Sequence, residues 1–181
     1  MTPIEVLKRI TKFTEEEIAP LLSMRKEVRH TGDVLDNSEE TPAYVNPAVC
    51  YGTIPHKNFQ PLDFQCPMIL WTFDETTDIG TYDEGRKVNL RASVSAFSSE
   101  LYSNDAHLPD NKAFVDLAGL LETMYQKFTQ RHVINGVGIQ KPITYGIYDG
   151  AFYPYAYGYL TLTAEIARMQ YDDEIFLTDE C

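Results

Sequence analysis

Apolar positions recur at helical spacing from the first residues of the chain. Ile4, Leu7, Ile10 and Phe13 share a face, with Lys8, Arg9 and Lys12 between them, which predicts an amphipathic helix. Thr2-Pro3-Ile4-Glu5 supplies its start. Thr at the N-cap, Pro at the first helical position and Glu two residues later form a capping box. Thr14-Glu15-Glu16-Glu17 repeats the box, and Ile18, Leu21 and Leu22 extend the face. Pro20 removes an amide donor from that run, so a kinked helix or two short helices are expected across 3–30. Over residues 31–65 the periodicity stops. Gly32, Asp33, Asp36, Asn37 and Ser38 are turn formers, and Pro42, Pro47, Pro55 and Pro61 punctuate the rest. The expectation is a long irregular excursion, either draped over the domain's own sheet or serving a function or a partner.

Alternation then takes over. PMILWTFDE over 67–75 reads as a buried strand holding the single Trp, Trp71, and 76–86 as a turn or long hairpin tip. Over 87–97, Val88, Leu90, Ala92, Val94 and Ala96 oppose Asn89, Arg91, Ser93 and Ser95. Period two of this kind is a half-buried strand, and the two runs predict an antiparallel hairpin with one wet face. Asp110 or Asn111 can cap a helix whose stripe is Phe114, Leu117, Leu121, Met124 and Phe128, ending near Arg131. Val133–Gln140 and Ile143–Tyr148 are strand candidates split by Pro142, and 155–169 alternates again. The expected fold class is α+β: an antiparallel sheet with helices packed on one face, plus the long irregular N-terminal excursion. One domain is expected over 1–181, with a helical segment at 3–30, the excursion at 31–65, the α+β core at 67–169 and an acidic tail at 170–181.

Charge changes the picture more than composition does. The 181 residues carry 15 Lys+Arg against 27 Asp+Glu, a formal net charge of −12. Residues 1–30 hold six basic and five acidic side chains, so the excess acid lies over 31–181. Phosphate backbones are gripped by Lys and Arg displacing counterions, so sequence-specific nucleic-acid binding is not expected. Anionic membrane surfaces are disfavoured for the same reason. No apolar run is long enough to span a bilayer, and the scattered charges of the first 17 residues do not read as a signal peptide.

The chemistry-bearing residues fall into no known catalytic spacing. His30, His56, His107 and His132 have no ligand partner nearby in sequence, and Cys50, Cys66 and Cys181 suit reduced thiols. Gly136-Val137-Gly138 lacks the third Gly of a dinucleotide loop and reads as a turn between helix and strand. Asp74, Glu75, Asp78, Asp83 and Glu84 gather around the predicted hairpin, without calcium-loop spacing. The most unusual segment is YGIYDGAFYPYAYGY over 145–159. Its Tyr148, Phe152, Tyr153, Tyr155, Tyr157 and Tyr159 offer large area, low entropy cost and polar tips, which suit a protein interface. Alternation places Tyr155, Tyr157 and Tyr159 on one strand face. No catalytic residue, metal or cofactor is expected.

The order of these patterns resembles a known group. The N-terminal amphipathic helix, the irregular stretch, the P-M-I-L-W strand, RKVNLRASVSAF, FVDLAGLLETMYQKF and the late strands are together similar to small neck and tail-completion proteins of tailed bacteriophages, most of all the tail terminators. The resemblance covers roughly 3–30 and 67–169 and departs in the excursion and the aromatic run. It implies a non-enzymatic virion subunit, assembled in the host cytoplasm. Such subunits form a ring, commonly a hexamer, that closes the head-proximal end of the tail tube and docks to the head–tail connector. The partners implied are other copies of the chain, the tail tube protein and the connector or neck proteins. In that setting the acids at 74, 75, 78, 83 and 84 are candidates for the lumen wall, where negative charge keeps passing DNA from sticking. Two other readings stay open. One is an acidic adaptor that mimics nucleic acid, which predicts carboxylates in rows. The other is a glycoside hydrolase using the carboxylates with a Tyr-lined sugar site, which predicts a pocket with a raised carboxyl pKa.

Overall fold

The first helix, α1 (Pro3–Glu17), starts where the capping box places it. The Thr2 hydroxyl accepts from the Glu5 amide at 3.2 Å, and the Thr2 amide donates to the Glu5 carboxylate at 2.6 Å. That backbone donor holds the Glu5 carboxyl below its ordinary value. Thr2→Ala removes the side-chain acceptor and is expected to cost about 1 kcal/mol of stability, read as a lower urea midpoint with an unchanged m-value. The computed structural model describes residues 1–27, 43–53, 66–77, 86–98, 111–149 and 155–166, with backbone alone for Asp74, Glu75 and Thr77.

The buried face of α1 is Val6, Leu7, Ile10 and Phe13, while Ile4 points outward and is 53% exposed. Thr14 is not a second cap. It lies inside the helix, donates to the Ile10 carbonyl at 2.9 Å and accepts from the Trp71 indole N–H at 3.0 Å. The helix ends at Glu17, and Pro20 sits in a 3₁₀ turn over Ala19–Leu21. Proline has no amide to continue the ladder, and the chain turns instead into β1 (Met24–Arg25), which pairs antiparallel with β2 (Tyr44–Val45). The helical segment expected to reach residue 30 therefore stops at Leu21.

The expected excursion is also more ordered than its sequence suggests. Besides β2 it holds β3 (Ala48–Tyr51), which joins the main sheet parallel to β4 (Met68–Thr77). Four residues cannot show a period, and the partner that orders them lies well downstream. Residues 31–42 and 54–65 lie outside the described residues.

β4 and β5 (Arg86–Phe97) form the expected antiparallel pair, with an irregularity between Phe73 and Glu75. After α2 (Lys112–Thr129) come β6 (Val133–Ile134), β7 (Val137–Ile147) and β8 (Tyr155–Ile166). The sheet order is β3-β4-β5-β8-β7-β6, antiparallel throughout apart from the β3–β4 pair. Asn135 and Gly136, at φ 50° and 77°, close a tight β6–β7 hairpin turn. The 136–138 stretch thus joins two strands rather than a helix and a strand. β7 runs through Pro142, not up to it. A register shift between Gln140 and Thr144 absorbs the residue whose missing amide would otherwise break the ladder.

Both helices cover one face. α2 buries Ala113, Leu117, Leu120, Leu121, Met124 and Phe128, whereas Phe114, read as part of the stripe, is 52% exposed. Asn111 occupies the N-cap position without a side-chain capping bond. The strands contribute Ile69 and Trp71 from β4, Val88 to Ala96 in alternation from β5, and Leu160, Leu162 and Ala164 from β8. Phe128 sits between Phe13 and Trp71, edge-on to each at 5.4 and 5.6 Å. α1 touches β3 at one border of the sheet and β6 at the other. Arg9 donates to the Asn135 carbonyl at 2.6 Å, and the Asn135 amide donates back to the Arg9 carbonyl at 3.2 Å. A sheet whose two borders meet one helix is curled around it, so its other face is convex and outward.

Candidate functional site

Period two decides which side chains reach that outer face. Tyr155, Tyr157 and Tyr159 of β8 stand opposite Phe97, Ser95 and Ser93 of β5. The residues that alternate with them, Ala156, Gly158 and Leu160, face the helices. The three tyrosines therefore share one face, as alternation predicts. Tyr148 joins them from just beyond β7, where its amide donates to the Tyr157 carbonyl at 2.9 Å. Tyr148 lies 5.3 Å from Tyr159, Tyr155 stacks on Tyr157 at 6.1 Å, and Phe97 lies 5.4 Å from Tyr155. Tyr148 and Tyr157 remain 44% and 38% exposed. Phe152 and Tyr153 lie outside the described residues.

Two charged residues that sequence reading did not assign to this site belong to it. Arg91, on the polar face of β5, lies 5.2 Å from the centre of the Tyr159 ring and 5.9 Å from that of Tyr148. One of its terminal N–H groups donates to the Tyr148 hydroxyl. Its Nε is buried with no hydrogen-bond acceptor among the described residues. Alternation places Arg91 on the wet face of its strand, but nothing along the chain shows that Tyr148 lies beside it.

The second residue is Glu27, just past β1. Its backbone amide donates to the Cys66 carbonyl at 2.9 Å, and its carboxylate accepts from the Cys66 amide at 3.0 Å and the Tyr155 hydroxyl at 2.8 Å. These bonds tie the end of β1 to the tyrosine face. Burial, then the bond to the Glu27 carboxylate, pushes the Tyr155 phenol well above its ordinary range. Tyr157 is raised chiefly by burial as well. Both phenols keep their protons at neutral pH, and Tyr155 donates its own to Glu27.

The other candidates are less connected. The backbone of Glu75 registers opposite Asn89, with Asp74 at the irregularity beside it. Asp78, Asp83 and Glu84 lie outside the described residues. The described residues hold twelve Lys and Arg against eleven Asp and Glu, and the rest of the chain holds three against sixteen. The excess acid thus falls entirely outside the described core. Within it, the two carboxylates with displaced pKa values, Glu5 and Glu122, are both held low, the latter mainly by the Tyr145 hydroxyl. That is the opposite direction from a general acid.

Cys50 is half-buried, and desolvation raises its thiol pKa, which lowers its reactivity. Cys66 donates to the Ser95 hydroxyl at 3.0 Å. Among the described residues, no group of three or more His, Cys, Asp and Glu side chains could hold a metal ion, and no helix is long and apolar enough to cross a membrane. His30, His56, His107 and Cys181 lie outside the described residues. No protein-family model matches the chain, and no curated protein matches it.

Proposed function

We propose that this chain is a structural subunit of a phage tail or neck. In this reading, copies form a ring, expected to be a hexamer, that caps the head-proximal end of the tail tube and joins it to the head–tail connector. The observation that carries the reading is the outward tyrosine face of the curled sheet. One face of the sheet is filled by two helices, and the other presents Tyr148 and Tyr157 to solvent on a convex surface. Large amphipathic rings on a rigid, convex platform suit contact with another protein better than enclosure of a small substrate. The helix–hairpin–helix–strand order on which the resemblance rests also supports it, since its strands join one sheet and its two helices pack on that sheet.

In the ring the subunit is non-catalytic and acts by position. Excess acid outside the described core keeps the assembly from gripping DNA that passes through it. The virion is the expected location.

Mass photometry and negative-stain microscopy of the purified chain, alone and mixed with isolated tail tubes, test this directly. Closed rings, or density added at one end of the tubes, are expected. A chain that stays monomeric at micromolar concentration and never associates with tubes overturns the reading.

A further inference from the structure

Arg91 is an unusual cation for so acidic a chain. Among the described residues its guanidinium donates to the Tyr148 hydroxyl and otherwise faces two tyrosine rings. Among the described residues no carboxylate pairs with it. A guanidinium has five N–H donors in a planar fork that matches a carboxylate. Here one donor is spent on a phenol and the Nε is buried without an acceptor among the described residues. The side chain is half-buried, where an ion pair is screened less than at an open surface.

We propose that Arg91 is the socket for an acidic side chain presented by a second copy of this chain. The inference rests on the ring reading above and specifies the chemistry of one of its contacts. The occupant is argued from charge. The described core is nearly balanced, while the rest of each copy carries sixteen acids against three bases. In an assembly of identical chains, each neighbour carries these sixteen carboxylates. A nucleic-acid phosphate is a poorer fit, because the positions around Arg91 on this face, Ser93, Thr144 and Thr161, are uncharged. Lys87, further along the strand, stands opposite Glu165. One isolated guanidinium flanked by aromatic rings takes one carboxylate. Tyr148 and Tyr159 hold the fork in place, so little of its side-chain freedom is left to lose on pairing.

The test measures assembly of the full-length chain by mass photometry and sedimentation velocity between 50 and 500 mM NaCl. Wild type is expected to assemble, and more weakly as salt rises. Arg91→Gln is expected to raise the half-assembly concentration at low salt at least tenfold and to flatten the salt dependence. Arg91→Lys keeps the charge without the fork and is expected to fall between the two. Tyr148→Phe removes the hydroxyl that positions Arg91 and is expected to cause a loss of several-fold. Circular dichroism checks that each variant folds.

If wild type assembles and Arg91→Gln matches it in concentration and salt response, the socket is overturned while the ring reading stands. If Arg91→Gln does not fold, Arg91→Lys and Tyr148→Phe both matching wild type overturns it instead. A wild type that never self-associates overturns the ring reading and the socket together.

Discussion

Phe128→Ala is expected to lower the stability of the chain by about 3–5 kcal/mol. Phe128 is fully buried where both helices meet the sheet, in edge contact with Phe13 of α1 and Trp71 of β4. Truncation removes the ring's transfer free energy and leaves a cavity walled by two aromatic rings that are themselves pinned. Trp71 is held by its bond to Thr14, and Phe13 by the helix that Arg9 and Asn135 anchor. Walls that cannot relax make such a cavity costly. Against a typical total of about 5–15 kcal/mol, the loss leaves the protein marginal. Urea unfolding followed by the fluorescence of Trp71, the chain's single Trp, measures it. Phe114→Ala on the same helix is the control, since Phe114 is exposed and its change is expected to stay within about 0.5 kcal/mol. Equal losses for the two variants would place the core elsewhere.

Gly158→Val is expected to prevent α2 from seating on β8. A Cβ at this position would lie 2.8 Å from the Gly146 carbonyl oxygen and 2.9 Å from a Leu121 methyl, with Leu117 at 3.5 Å. Real Cβ contacts of this kind do not occur, and valine adds two further carbons. Overpacking costs about 1–3 kcal/mol when neighbours can shift, but here one neighbour is the backbone of the adjacent strand. The expected result is largely insoluble protein, or loss of a cooperative thermal transition. Gly158→Ala in a Leu121→Ala background separates the two obstacles. Removing the leucine methyls relieves the helix side only, so partial recovery is expected. Full recovery would show that the strand gives way more readily than its pairing suggests.

Several features were legible because they depend on neighbours only a few residues away. The capping box at Thr2 and Glu5 formed as spelled, since both partners sit within one turn. Strict alternation in β5 and β8 assigned the tyrosines and the core residues to opposite faces, because a strand has only two faces. Ile4 and Phe114 were misplaced for a related reason. Helical spacing yields a stripe about as wide as the helix can bury, and its border is drawn by what lies beneath. On α1 that border admits Val6 and leaves Ile4 in solvent, and on α2 it admits Ala113 and leaves Phe114 out.

Contacts across long sequence separations were not legible. Thr14 has the form of a helix cap, but a Trp 57 residues away makes it a buried acceptor. Arg91 meets Tyr148 across another 57 residues, and Glu27 meets Tyr155 across 128. β3 exists because β4 offers it an edge. The charge of the whole chain was known from its composition, but its near-cancellation within the described core emerged only with the core itself. By itself, then, the sequence determined the α+β class, the strand faces and the tyrosine set, because local periodicity encodes which side of an element is apolar. The tertiary structure alone decided which polar groups meet on the outer face, because that depends on strand order and register, which no spacing along one chain records.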